Sequence, residues 1–286
     1  MPNYPAPKSL KPLSVGNVVT AAIQLFRSHF KQYLGLTLRA YLWVLVPLYG
    51  WAKFLMIHAM ISRLAFGDLM GQPESEAEAR GQLEDKKWGF LRLAFLVGLI
   101  SIGVVIAFYF FVLIILVLIS VAIVALVGQE NTAVIVVLRI LWSIAFFLLL
   151  VGLTWFYSRL IISELPLAIE SVSKAASSVG RSWELTKGYV LRIQGIIIVA
   201  SLITIPLQII TQVLFFIFQI FLARFLFKES PTFLTISVFF LSWYLIIVAS
   251  SLIVVPFWQA IKAVIYYDVR NRTEGLGLEI SDRPLT

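Results

Sequence analysis

The stretch LAFLVGLISIGVVIAFYFFVLIILVLISVAIVALVGQ, Leu93–Gln129, contains no Asp, Glu, Lys or Arg. As one straight helix it would extend ~55 Å, against a hydrocarbon core of ~30 Å. It must tilt, project or break, and Gly98 and Gly103 are its weak points. Two further runs, Ile193–Ala223 and Ser230–Ile261, are equally free of charge, and each exceeds the ~20 apolar residues a crossing helix needs. A bilayer admits only structures that satisfy their own backbone hydrogen bonds. The ten-residue alternation of a membrane barrel is missing. The chain therefore reads as all-α: a polytopic integral membrane helical bundle.

Composition agrees. Of 286 residues, 60% are hydrophobic and 13% charged, and mean hydropathy is +0.94; a soluble domain carries about 25% charge. A soluble globular enzyme and a disordered tail protein are both excluded. The net charge of +8, from 23 basic and 15 acidic residues, points to anionic head groups and membrane orientation, with no nucleic acid expected as partner. The absence of cysteine removes disulfides, thiol catalysis and Cys-ligated metals. Residues 1–12, with Pro2, Pro5, Pro7 and Pro12, are expected to form a flexible tail without a cleavable signal.

A single membrane domain is expected over 13–267, followed by a polar tail over 268–286. Three amphipathic sections interrupt its apolar runs, near 13–30, 75–90 and 166–188, and read as interfacial helices. The first has Ser14 placed as N-cap and apolar Val15, Val18, Val19, Ala22, Phe26 and Phe30 at helical spacing. The third sets Ile169, Val172, Ala176, Val179 and Trp183 against Glu170, Lys174, Ser177, Arg181, Glu184 and Lys187. Between the first two lies 34–61, apolar but broken by Arg39, Pro47, Gly50 and Lys53. It reads as one kinked crossing or as a short hairpin turning at Pro47–Gly50. The acid-rich stretch 62–92 reads as a solvated connector, its acids interleaved with bases.

Orientation follows from the bases, which keep short flanking segments on the cytoplasmic side. The section to Arg39 carries five bases and no acid, and Arg159–Arg192 carries five bases. Lys262–Arg272 carries three, whereas the Glu130–Asn131 turn has none and Arg224–Glu229 has two. Both termini and 159–192 then share one side, which requires an even number of crossings before residue 159. A hairpin at 34–61 satisfies this. It also fits a weak internal repeat, in which Ser14 and Phe26, Ser75 and Trp88, and Ser171 and Trp183 each bracket an amphipathic segment leading into a hairpin. About five to six passes are expected.

Three blocks together resemble a known group: Leu13-Ser14-Val15-Gly16 with Leu25-Phe26-Arg27; Arg159-Leu160 through Leu165-Pro166 to Glu170 and then Arg181-Ser182-Trp183-Glu184-Leu185-Thr186-Lys187-Gly188; and Tyr266-Tyr267-Asp268-Val269-Arg270 with Glu274. They resemble the bacterial membrane domains related to glycerophosphoryl diester phosphodiesterases and the YciC-like inner-membrane proteins. The resemblance implies a multi-pass protein of the bacterial cytoplasmic, or another internal bacterial, membrane. It implies no activity here, since a phosphodiesterase barrel would need ~250 residues more.

Chemistry is sparse. His29 and His58, the two histidines, belong to no metal-spaced cluster, and no phosphate loop or nucleophile elbow occurs. No catalytic residue, cofactor or metal is expected. Arg159, Glu164, Glu170, Arg181, Trp183 and Glu184, joined by Asp268 and Arg270, form a candidate cytoplasmic network or docking surface, the alternative being ordinary surface ion pairs. Gln194, Ser201, Gln208, Gln212 and Gln219 recur mainly at spacing seven. They mark an intramembrane polar face, either interhelical glue or the lining of a solute path. No acid or base stands clearly at mid-membrane. The expected function is a non-enzymatic membrane scaffold, assembly or envelope-maintenance protein. It would bind lipids and other membrane proteins or itself, with transport of a small or lipidic solute as the alternative.

Overall fold

The computed structural model describes residues 14–128, 132–226 and 233–275. The tail over 1–12, the Glu130–Asn131 turn, the Lys228–Pro231 turn and the chain beyond Gly275 lie outside the described residues. Every element among the described residues is helical: α1 Val15–Ser28, α2 Phe30–Val44, α3 Tyr49–Leu69, α4 Glu76–Glu84, α5 Lys87–Val127, α6 Thr132–Leu160, α7 Glu164–Ile169, α8 Ala175–Leu185, α9 Val190–Leu226 and α10 Phe233–Glu274.

Local chemistry sets several of these boundaries. Ser14 caps α1, its hydroxyl accepting from the Asn17 amide at 3.1 Å. Ser75 and Glu78 form a reciprocal capping box at α4. Gly128, at φ 89°, ends α5 in a backbone region costly for a side chain. The sharpest break joins α2 to α3. There Leu48 takes φ 59° and ψ −67°, and the Tyr49 amide donates to the Pro47 carbonyl at 2.7 Å. This is a γ-turn of the rare positive-φ kind, strained for any residue but glycine.

Four helices, α5, α6, α9 and α10, are long and apolar enough to cross a membrane. Their most apolar windows are left largely uncovered by the rest of the chain, only 6% buried in α5 and α6, as in a multi-pass membrane protein whose helices face lipid. They pack as two antiparallel hairpins, α5 with α6 and α9 with α10, joined by α6 against α9. The starts of α5 and α9 and the ends of α6 and α10 meet at one end of the bundle. Phe90 and Leu93 share a cavity wall with Tyr157, Leu160 and Lys262, and Arg192 reaches Asp268. Helices α1–α4, α7 and α8 assemble around that end.

The buried core lies in the same place. Val18 and Ala22 of α1, Tyr33 and Leu36 of α2, Met60 and Ile61 of α3, Leu165 and Leu167 of α7, and Ala260, Ile261 and Val264 of α10 are all inaccessible to solvent. Helix α3 crosses α10, with the Ser62 hydroxyl donating to the Gln259 side-chain oxygen at 2.6 Å and Phe66 packed edge-on against Tyr266. Tyr244 ties down α2 by donating to the Tyr41 carbonyl at 2.7 Å.

Several sequence expectations change. The 34–61 segment is a hairpin, as one of its two readings had it, but α3 runs on to Leu69 and is largely buried. The connector is therefore not solvated from residue 62: Ser62, Leu64, Ala65 and Phe66 belong to the core. The 166–188 section is two helices, α7 and α8, parted at Glu170–Lys174. The 75–90 section is the short α4, with Trp88 already in the first turn of α5.

The α2–α3 turn also forces Gly50 against its neighbours. A Cβ there would overlap the Trp43 carbonyl and come within 2.9 Å of the Val46 side chain. Gly50→Ala should lower stability by about 2 kcal/mol or more, read as a thermal-melting shift in detergent. Gly35→Ala, at a helical site with open space around the new methyl, should be neutral or stabilising by about 0.5–1 kcal/mol. Leu48→Gly should stabilise by about 1 kcal/mol as the strain is released.

Candidate functional site

The charged side chains singled out from the sequence gather where the four long helices converge, in separate clusters rather than one network. Glu170 is the centre of the largest. It closes α7 as C-cap with extended backbone, φ −88° and ψ 171°. Both its oxygens accept from the Arg181 Nε, at 3.2 and 3.3 Å, and one accepts from the Tyr266 hydroxyl. Arg181 also pairs with Glu274, which Arg270 holds from the same helix at 2.8 Å. Arg270 approaches Glu170 at 3.8 Å and lies over the Tyr266 ring. Helices α7, α8 and α10 are thereby joined through charges separated by about ninety residues of chain. Glu184 stays at the rim, 3.6 Å from Arg181 with its side chain 73% exposed.

Asp268 forms a second cluster. It is 2% exposed and accepts from Arg192 of α9 at 2.9 Å and from Arg272 at 3.1 Å. Glu164 belongs to a third: it pairs with Lys262 of α10 at 3.0 Å, at one end of a cavity of about 220 Å³ walled by Leu55, Phe90, Leu93 and Val97. Lys262 looks like one of three flanking bases in the sequence, yet the fold turns it inward beside His58, itself only 7% exposed.

Arg159 departs from expectation in a different way. It is 5% exposed and makes no ion pair among the described residues; its guanidinium lies over the Trp183 ring at 4.3 Å and beside Trp155 at 5.8 Å, a cation–π stack. Serines of α8 complete this joint. Ser182 donates to the Arg159 carbonyl at 2.8 Å and Ser178 to the Ser163 carbonyl at 2.6 Å.

Sequence reasoning missed Arg63 and Lys86, which lay in the presumed connector. Arg63 grips Glu74 with two bonds of 2.7 Å and donates to the Ala168 carbonyl. Lys86 donates to the Leu167 and Glu170 carbonyls at 3.0 and 3.2 Å. Both cations thus cap the C-terminal carbonyls of α7, where the helix dipole favours positive charge. Burial lowers the Lys86 pKa from its ordinary value, with the charge of Arg63 acting in the same direction. On the outer side, Arg39 holds Glu76 and Lys53 holds Glu84, and these hydrogen bonds keep both carboxyls below the usual range.

The intramembrane face also divides. Gln194 donates to Thr154 of α6 at 3.1 Å, as interhelical glue does. Ser201 is half-buried, with its carbonyl accepting from Thr204. Gln208 and Gln212 are exposed, and the buried Nε2 of Gln219 has no hydrogen-bond partner among the described residues. Among the described residues no three His, Asp or Glu side chains are grouped to hold a metal.

Two tests follow from this layer. Arg181→Glu would set four carboxylates together and should cost about 2–4 kcal/mol of stability in detergent, whereas Glu184→Lys should change it by under about 0.5 kcal/mol. Carboxyls depressed in the folded state stabilise it above their unfolded pKa of about 4.3, and that contribution is lost as pH falls through the lower folded value. Below pH about 4, hydrogen exchange of α4 should accelerate while the α3 core stays protected.

The chain matches no known family, no characterised protein and no solved structure among those it was compared with.

Proposed function

We propose that the protein is a non-enzymatic membrane scaffold or assembly factor. In this reading four helices cross the bilayer, the α2–α3 hairpin inserts from the charged end without crossing, and that end faces the cytoplasm of a bacterium. Helix α2, of 15 residues, is ~22 Å long and too short to span. Its turn instead brings Tyr49 beside Trp88 at the start of α5, ring centroids 6.4 Å apart.

The observation that carries the reading is the charge left over at that end. Arg27, Lys31, Arg92, Lys174 and Lys187 are exposed and meet no carboxylate among the described residues. Trp88 and Trp183 stand exposed with them, at 44% and 37%. Unpaired bases beside tryptophans suit anionic lipid head groups, and the exposed Leu42, Leu45 and Leu48 of the hairpin suit the acyl boundary beneath. Kinship with the bacterial phosphodiesterase-related membrane domains fits the same layer. Glu170, Arg181, Tyr266, Arg270 and Glu274, all from the blocks that carry the resemblance, meet in one cluster.

Native mass spectrometry after mild-detergent extraction tests the proposal. Phosphatidylglycerol or cardiolipin should be retained over phosphatidylcholine, and Lys174→Gln with Lys187→Gln should reduce retention several-fold. No lipid preference and no reproducible protein companion would overturn it. Solute passage, the second reading, rests on the groove that holds Gln208 and Gln212. Reconstituted flux unaffected by replacing both glutamines would remove that support.

A further inference from the structure

Gln208 stands midway along α9 and at the centre of the charge-free run Ile193–Ala223. Gln212 lies one turn further on the same face, and both side chains are exposed. Neither amide has a hydrogen-bond partner among the described residues. The other polar groups nearby are satisfied locally: Thr204 donates to the Ala200 carbonyl, Thr211 to the Leu207 carbonyl and Ser250 to the Ile247 carbonyl. The two glutamines, Thr211 and Ser250 line an open groove of about 680 Å³ beside α10. At this depth no water is available, so a bare primary amide is strongly disfavoured.

We propose that this face is covered by α9 of a second copy of the chain, the two helices packed in parallel about a twofold axis along the membrane normal. Copies inserted in the same direction form a closed symmetric pair only about such an axis, which sets each residue of the contact opposite itself or its near neighbours. That geometry selects for side chains complementary to themselves. A carboxylate or ammonium would repel its own copy, whereas an amide carries both donors and acceptors. Gln208 against Gln208 and Gln212 against Gln212 therefore close two reciprocal hydrogen-bonded pairs. Amide pairs of this kind associate membrane helices without a hydrophobic drive. The inference is independent of lipid binding at the charged end.

The chain has no cysteine, so an introduced thiol is its only one. Gln208→Cys and Gln212→Cys, oxidised in native membranes, should each give a disulfide-linked dimer of twice the chain mass. Ile210→Cys, exposed on the opposite side of α9, should remain monomeric. Two differently tagged copies should co-purify, and Gln208→Leu with Gln212→Leu should reduce recovery of the second tag by about tenfold while leaving the detergent melting temperature of the monomer unchanged. Three outcomes would overturn the proposal: no crosslink at 208 or 212, equal crosslinking at 210, or a crosslink to a different protein.

Discussion

Hydrocarbon tolerates a helix because a helix satisfies its own backbone, and it tolerates almost nothing else. In this chain that constraint separates two kinds of packing. The outer lengths of α5, α6, α9 and α10 are nearly free of charge and touch one another sparingly. The ion pairs and the fully buried side chains gather instead where those helices begin or end. The apolar arms carry little information about how they should be placed. The polar end supplies it, through contacts such as Arg192 to Asp268 and Lys262 to Glu164, each of which ties a specific helix to α10.

Such pairs act more through specificity than through net stability. Desolvating two charges costs roughly what their attraction returns, but leaving one of them unpaired is expensive. Lys262 illustrates the point. Set inside the bundle beside His58, it is acceptable only where α7 delivers Glu164, so any packing that moves α7 leaves a buried ammonium without its counter-charge. Arg63 and Lys86 act on the same short helix from the other side, through its terminal carbonyls. The six residues of α7 are too few to be stable alone, and it is the cations of α3 and of the link before α5, together with its buried leucines, that hold it.

This explains which parts of the structure were legible in the sequence. Charge-free runs such as Leu93–Gln129 announce a membrane helix by composition alone, and Pro47 with Gly50 announces a turn. The placement of 159–192 beside the end of α10 was legible from its bases. Lys262 was not, because a base at the end of an apolar run looks the same whether it faces head groups or a carboxylate brought from ninety-eight residues away. Arg63 and Lys86 were hidden for the same reason. Their contacts to α7 are with backbone carbonyls, which leave no trace in residue type, 105 and 81 residues distant. Arg159 looked like a network member because arginine usually seeks a carboxylate, whereas here two indole rings take that place.

The break between α7 and α8 shows why a continuous amphipathic helix over 166–188 would not have served. Were the helix to continue through Glu170, the Leu167, Ala168 and Glu170 carbonyls would be committed to the amides of the following turn, and Lys86 and Arg63 would lose their acceptors. Extending the backbone at Glu170 frees those carbonyls for the cations. It also lets the Glu170 carboxylate reach Arg181 and Tyr266. The chain then restarts at Ala175 with Ser178 and Ser182 facing the carbonyls of Ser163 and Arg159. One residue thus serves α5, α8 and α10 at once, through its carbonyl towards the first and its carboxylate towards the other two. That double use makes position 170 the point where the two long hairpins and the helices around their base are held in register.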